Sequence, residues 1–318
     1  MIRRTWQAAM IGLARSPGTK RFMQEARATS FLRDKYVAGA DIASGRNRAV
    51  ALVEDHGIRS SMFFMGEYVD DPALVAETVD HKIAAAQAVA EAGLDVHVSV
   101  DPTQIGQVVT PEAVEGHARA IAERIRGLAG NREGVHCLML DMEDASVTDV
   151  TIALHDALQD AGLPVALTLQ AYRRRTWDDM TRQVGRGSRV RLVKGAFAAG
   201  PALAFQSQRE IKANSRRLID VMLSPGARAS GFYPIVATHD TALHAHAIST
   251  AQANGWEPGT YEFEMLLGVR EDVARALAAR GERVRLYVPF GRDWWPHAVR
   301  RIGENPRNAV LLARSLVT

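Results

Sequence analysis

Cysteine is almost absent from this 318-residue chain, where Cys137 stands alone. A single cysteine excludes an intrachain disulfide framework and fits a reducing compartment. Its setting in the apolar run VHCLML predicts a buried, inert thiol. Long hydrophobic runs are missing too: no stretch reaches the roughly 18 apolar residues that a bilayer-spanning helix needs. The opening MIRRTWQAAMIGLARSPG sets arginines ahead of apolar residues, yet Gln7 and Arg15 interrupt the apolar core of a secretory signal. A cytoplasmic protein is expected. Charge of one sign is scarce as well, with 39 basic against 36 acidic residues and a net +3. The arginines are mixed with acids along helical stretches, so no nucleic-acid footprint is expected. There is no glycine-rich strand-to-helix fingerprint and no P-loop, which excludes a Rossmann unit and a phosphate-cradling loop of that kind. The paired histidines of metal-dependent barrel hydrolases are lacking, VHV offering one, and no metal is expected.

What the chain does have is alternation. Eight β-rich runs, SMFFMGEYV, LDVHVSV, VHCLMLD, LPVALTLQ, RVRLVKG, YPIVATHD, YEFEMLL and RVRLYVPFG, are separated by amphipathic stretches such as PALVAETVDHKIAAAQAVAEAG. Strand–helix alternation without hairpin signals predicts parallel strands. Eight such units at this length suit a closed (β/α)8 barrel of the TIM type, an α/β fold, better than an open doubly wound sheet. Residues 1–60 are mostly helical, with DIASGRNRAVALVEDHG reading as a capped helix, and are expected to form an N-terminal cap. Residues 61–318 are expected to form the catalytic barrel, the whole being one domain.

Barrel chemistry gathers at the C-terminal ends of strands. Those ends carry Asp101, Thr103 and Gln104, then Asp141, Glu143 and Asp144, then Gln170, Lys194, Thr238, His239, Asp240, Glu264 and Tyr287. After the eighth run come Arg300 and Arg301, with Glu304 one turn on. Successive helical side chains diverge by about 100°, so both arginines reach a site only if their helix lies across the barrel mouth. In that case two guanidinium forks match a ligand carboxylate; otherwise they are solvated, with Glu304 as an i, i+4 partner of Arg300. Asp141 ends an apolar strand and needs a cation, for which one of this pair is the natural candidate; a plain structural ion pair is the alternative. Asp144 reads as a helix N-cap. Lys194 could serve as a Schiff-base lysine, but the Gly195-Ala196 that follows suggests close approach of a flat or bulky group.

RLVKGAF, YPIVATHD, YEFEMLLG, YVPFG and VRRIGEN, in this order on eight βα units, resemble the proline dehydrogenase family. The resemblance runs from YVAGADIASG to the C-terminus. It implies FAD lying over the barrel mouth and a final helix across the top of the barrel. Arg300 and Arg301 would grip the carboxylate of an imino acid, with Asp141 paired to the guanidinium cluster and Tyr287 beside it as a further catalytic residue. Asp101, Leu192, Leu266 and His297 would face the substrate. The cofactor would be surrounded by Gln170, Arg191, Lys194, Gly195, Ala196, Phe197, Thr238, His239, Asp240 and Glu304. The implied reaction oxidises proline, or a related cyclic imino acid, to Δ1-pyrroline-5-carboxylate by hydride transfer to flavin N5. A quinone accepts the electrons, which implies peripheral contact with the inner face of a membrane.

Three positions depart from the family pattern: Asp101 stands where lysine is usual, His297 where many members have tyrosine, and Phe197 replaces the tyrosine of KGAY. Asp101 for a cation changes the local charge by two units. Either proline activity persists through this drift, or Asp101 and His297 accept hydrogen bonds from a ring hydroxyl and favour hydroxyproline or another substituted cyclic amine. From other classes, a Lys194 lyase and a non-catalytic ligand-binding barrel remain as alternatives.

Overall fold

The computed structural model describes residues 30–65, 69, 71–295 and 297. Its eight strands close into one barrel in chain order, every neighbouring pair parallel. They are β1 Arg59–Phe64, β2 His97–Val100, β3 Cys137–Leu140, β4 Val165–Gln170, β5 Arg189–Val193, β6 Tyr233–Ala237, β7 Glu262–Leu266 and β8 Val284–Phe290. Closure is made by β8 against β1, in register from Arg59↔Arg285 to Phe64↔Phe290. All eight expected runs are strands, but most are shorter than expected, and β1 begins two residues before Ser61. Val96 and Val135 are buried outside the strands, so apolar content marks what is inside the core and not where pairing starts.

Helices α1 Ser30–Tyr36 and α2 Ile42–His56 precede β1. The crossovers contain α3 Pro72–Glu91, α4 Val114–Ala129, α5 Thr148–Asp160, α6 Thr176–Gly185, α7 Gln208–Met222, α8 Pro225–Ala229, α9 Thr241–Ala253 and α10 Glu271–Ala279. Asp41 caps α2 by accepting from Ser44 N at 2.8 Å, and Gly57 ends it in the left-handed region. The helix lies hard against the barrel: a Cβ on Gly45 would meet Met62 Cε at 2.7 Å and the Phe290 ring at 3.1 Å. Ala49 and Leu52 of α2 share one apolar core cluster with the strands.

One expected cap is corrected. Asp144 does not cap α5; its carboxylate accepts from Ser146 N and Oγ at 2.8 and 2.6 Å, and the helix starts later, at Thr148. An aspartate bonds to a backbone N–H two residues on in a turn as readily as at a helix start.

Strand alternation sorts the interior. Val98 and Val100 of β2 join the core cluster between strands and helices, while Ser99 bonds to Ser61 across the barrel interior at 2.8 Å. Cys137, Met139, Ala166 and Ile235 form an inner cluster, and burial pushes the Cys137 thiol up to about 11. At the N-terminal end of the barrel, buried Arg285 bonds to Glu262 (2.8 and 3.1 Å), Asp95 (2.7 Å) and Ser60 O (2.7 Å). Two residues further along β7 and β8 come Glu264 and Tyr287, which meet Asp141 and Arg191 at the C-terminal mouth.

Candidate active site

Arg191, 4% exposed, is the centre of the mouth. Its Nη1 donates to Glu264 Oε1 at 2.7 Å, while Nε and Nη2 donate to Thr168 Oγ1 at 3.1 and 3.0 Å. Nη2 also forms an ion pair with Asp141 Oδ1. The other oxygen of Asp141 accepts from the Tyr287 hydroxyl at 2.8 Å. The Arg191 guanidinium lies 5.4 Å from the Tyr287 ring centroid, and the Phe63 ring packs against the same tyrosine at 5.1 Å. Adjacent strands β4 and β5 pair Thr168 with Arg191, while the end of β3 supplies Asp141, β7 Glu264 and β8 Tyr287. Around this buried guanidinium, carboxylates and a hydroxyl replace the water that burial removes. Burial raises the Glu264 carboxyl above its usual range, an effect that Arg191 opposes.

Among the described residues the cation at Asp141 is Arg191, two strands away and of the same inward parity. Arg300, Arg301 and Glu304 lie outside the described residues. His297 is described and buried at 5% exposure.

Around this centre the rim is built from strand ends. Gln170 ends β4 and donates through Nε2 to Met142 O and Glu143 O at 3.0 and 3.2 Å, leaving its buried Oε1 without a hydrogen-bond partner. After β5 the chain turns through exposed Lys194 into Gly195 (φ +98°), where a Cβ would strike the Tyr172 ring at 2.1 Å. Ala196 and Phe197 follow, both exposed. After β6, Thr238 and His239 are half-buried. The N–H of Leu266, at the end of β7, donates to His239 Nε2 at 3.0 Å.

Two expected site residues have structural partners. Asp240 caps α9, accepting from Ala242 N at 2.9 Å and pairing with Lys212 at 2.6 Å. Leu192 has the opposite parity to Arg191 and packs into the core cluster with Val190 and Leu169, so it is not gathered with the charged group.

Sequence reasoning also missed residues. Arg173, 4% exposed, has buried Nε and Nη1 atoms without hydrogen-bond partners; no periodicity marks it. Lys82 of α3 is fully buried, donating to Phe64 O and Ser99 O at 3.0 and 2.9 Å. A signal for it existed. Val75, Val79, Lys82, Ala86 and Val89 recur at helical spacing on the buried face, and a lysine inside such a stripe is an anomaly.

The corner containing Lys82 is titratable. Asp101, half-buried, leaves β2 inward, and Glu143 accepts from Thr103 N and Oγ1 at 3.0 and 2.7 Å. Burial lowers Lys82 to about 7 against the pull of Asp101. Burial, reinforced by the Asp101 charge, raises Glu143 to about 7.

A family model described as proline dehydrogenase matches residues 47–314. A proline dehydrogenase of Deinococcus radiodurans is 32% identical over 319 residues, covering 100% of this chain and 99% of that protein. Proline dehydrogenase 1 of Bacillus subtilis is 29% identical over 283 residues, covering 89% of this chain and 90% of the other. Among solved structures, proline utilization A from Bdellovibrio bacteriovorus matches 87% of this chain with a TM-score of 0.75 and 19% identity. Its counterpart from Corynebacterium freiburgense matches 99% with a TM-score of 0.70 and 22% identity. This chain spans about a third of those longer polypeptides (33% and 34%), and the likeness to them is one of fold. The match over most of the length, on a closed eight-stranded parallel barrel, means that the chain belongs to the proline dehydrogenase family.

Proposed function

We propose that this protein oxidises L-proline at the bond between its ring nitrogen and the adjacent carbon, giving Δ1-pyrroline-5-carboxylate, with FAD as cofactor and a quinone as final acceptor. The observation that carries the reading is the buried Tyr287–Asp141–Arg191–Glu264 assembly at the mouth of the barrel, in a member of this family.

The residues present fit a flavin. Gln170 Oε1 and the two Arg173 nitrogens are buried polar atoms without partners, and buried groups of this kind are satisfied by ligand or water. Gly195 turns the chain after β5 in the left-handed region, packed against the Tyr172 ring where a side chain would not fit. FAD carries ring N–H and carbonyl groups as well as phosphate, matching an acceptor in Gln170 and donors in Arg173 and exposed Lys194. Gln170, Lys194, Gly195, Ala196, Phe197, Thr238 and His239 would hold it, with Glu304 from the terminal segment. When bound, the flavin supplies the hydride acceptor that no side chain can provide.

The protein's part is orientation and electrostatics. Arg191, fixed on three sides, offers a dry cation that stabilises negative charge developing above it. Asp141 holds that cation in place and is itself held by Tyr287. Arg300 and Arg301 would clamp the substrate carboxylate, fixing the ring carbon for transfer, a positioning that contributes several kcal/mol at best. Leu266 and His297 would border the ring. A lyase reading is less well served, because a Schiff-base lysine needs a dry site and Lys194 is exposed. No described helix is long and apolar enough to cross a membrane; quinone access at a membrane surface is part of the same proposal.

Purified protein should show flavin absorbance that bleaches anaerobically with L-proline. A panel including trans-4-hydroxyproline separates proline from hydroxylated rings, and no bleaching by any cyclic amine would end the reading. Arg301→Met removes one charge-assisted contact worth about 1.5–3 kcal/mol and should raise KM about 10- to 100-fold. An unchanged KM would remove the clamp.

A further inference from the structure

Lys82 and Glu143 have no part in the reading above, and Asp101 enters it only as a residue expected to face the substrate; all three adjoin the site. Lys82 reaches from α3 to the C-terminal edges of β1 and β2, where its Nζ is held by Phe64 O and Ser99 O and stands 4.3 Å from the Phe63 ring centroid. That ring packs on Tyr287, the residue that holds Asp141. One side chain therefore separates the buried amine from the catalytic assembly. Gln104 donates to the same Phe64 carbonyl at 3.3 Å. Glu143 follows Asp141 by two residues and is tied to Thr103, so the Asp101 and Glu143 carboxylates come from the ends of β2 and β3, and the Asp101 charge acts on Lys82 as well as on Glu143.

A carboxylate pair backed by a desolvated amine is not a structural necessity. Burying an amine with no exposed surface costs stability unless its charge is wanted or can be given up. Titrating groups with matched affinities at the edge of a cleft are what acid–base work requires. Around this corner His81 stacks on Phe64 at 4.3 Å and bonds to Glu77 O, and His117 bonds to Ile105 O at 2.8 Å. Asp144 is turned outward onto Ser146. Three residues thus make up the corner: the Asp101 charge acts on both Lys82 and Glu143, and each of those two titrates at about 7, mainly through burial.

We propose that Lys82, Asp101 and Glu143 are the proton-accepting corner of the site, with Asp101 facing the substrate's ring nitrogen and Lys82 and Glu143 behind it. The proposal rests on the oxidation of a cyclic imino acid inferred above. A cyclic imino acid arrives with its nitrogen as a charged ammonium, whose lone pair is unavailable to assist loss of hydride from the neighbouring carbon. One N–H bond breaks, its electron pair stays on nitrogen, and the proton joins an Asp101 carboxylate oxygen, from which it passes to Lys82 or Glu143. No electrons leave the substrate in this step. Asp101 is the catalytic residue; Lys82 and Glu143 act through it as positioning and relay groups.

The test uses the flavin-loaded full chain with Asp101→Asn, Glu143→Gln and Lys82→Met, the first two being near-isosteric and keeping the test valid if Lys82→Met does not fold. For L-proline, kcat/KM should fall about 10²-fold or more at neutral pH in Asp101→Asn and recover as pH approaches the free amine's own range. Glu143→Gln and Lys82→Met should displace the acid limb of the profile in opposite directions. Tetrahydro-2-furoate, which has a ring oxygen where proline has N–H, supplies a readout independent of turnover. Its binding should be unchanged in affinity, and calorimetry in buffers of different ionisation enthalpy should show proton uptake near neutrality in the parent protein that Asp101→Asn diminishes. Wild-type pH profiles in both carboxylate variants, furoate affinity falling in step with kcat/KM, or furoate binding without proton uptake would each overturn the proposal. Failure of the parent protein to bleach with any cyclic amine would instead sink the underlying reading, a distinguishable result.

Discussion

The hydroxyl of Tyr287 is one atom, but it decides how Asp141 faces Arg191. Tyr287→Phe leaves a carboxylate oxygen short of one donor, at a cost of about 1–3 kcal/mol. In kinetics with L-proline it should lower kcat/KM about tenfold or more, and Tyr287→Phe combined with Asp141→Asn should cost less than the sum of the two, because they share one interaction. Additive losses would show that the contact at 2.8 Å does not couple them. At the same scale, Lys82 and Glu143 make stability depend on pH in opposite senses. Lys82 titrates near 7 in the folded chain and at its ordinary 10.5 when unfolded, so between those values the unfolded chain holds the extra proton and stability rises with pH. Glu143 titrates near 7 folded and 4.5 unfolded, so from 4.5 to 7 the folded chain holds the extra proton and stability falls as pH rises. Urea denaturation across this range should show a dip near pH 7. Lys82→Met should remove its rising limb and Glu143→Gln its falling limb.

At the scale of elements, strand ends and helix starts compete for the same polar residues. The end of β6 shows this: Thr238 and His239 stay at the rim while Asp240, the next residue, turns away to cap α9. Asp240→Ala should lower stability by about 0.5–2 kcal/mol, the worth of a cap, with bound flavin per folded chain unaltered; loss of flavin without loss of stability would restore the cofactor role. The end of β5 behaves differently, because Gly195 has a left-handed conformation and no room for a Cβ. Gly195→Ala should cost stability, about 1–3 kcal/mol from backbone strain alone, and displace Tyr172.

Across the whole molecule, two buried charged assemblies lie at opposite ends of one barrel. The N-terminal one is Arg285 with Glu262 and Asp95, and that face of such barrels serves stability. Arg285→Met strands two buried carboxylates and should destabilise the chain by about 3–5 kcal/mol, read as a lowered denaturation midpoint, while protein that does fold should retain its kcat. A kcat that falls with stability held would place the chemistry at the wrong end.

What the sequence by itself determined was the architecture and the list of candidates. Eight alternating units, each with its own periodicity, dictate a closed parallel barrel, and barrel geometry then nominates the residues after each strand. Those are short-range properties, legible wherever neighbours in sequence set the outcome. What only the tertiary structure decided was partnership: that Asp141 meets Arg191, that Asp240 and Asp144 serve their own turns, that Leu192 packs into the core cluster, and that a lysine on α3 reaches the ends of β1 and β2. Strand register and closure fix which inward side chains share a layer, and register is a property of the assembled sheet, with no trace in any one strand.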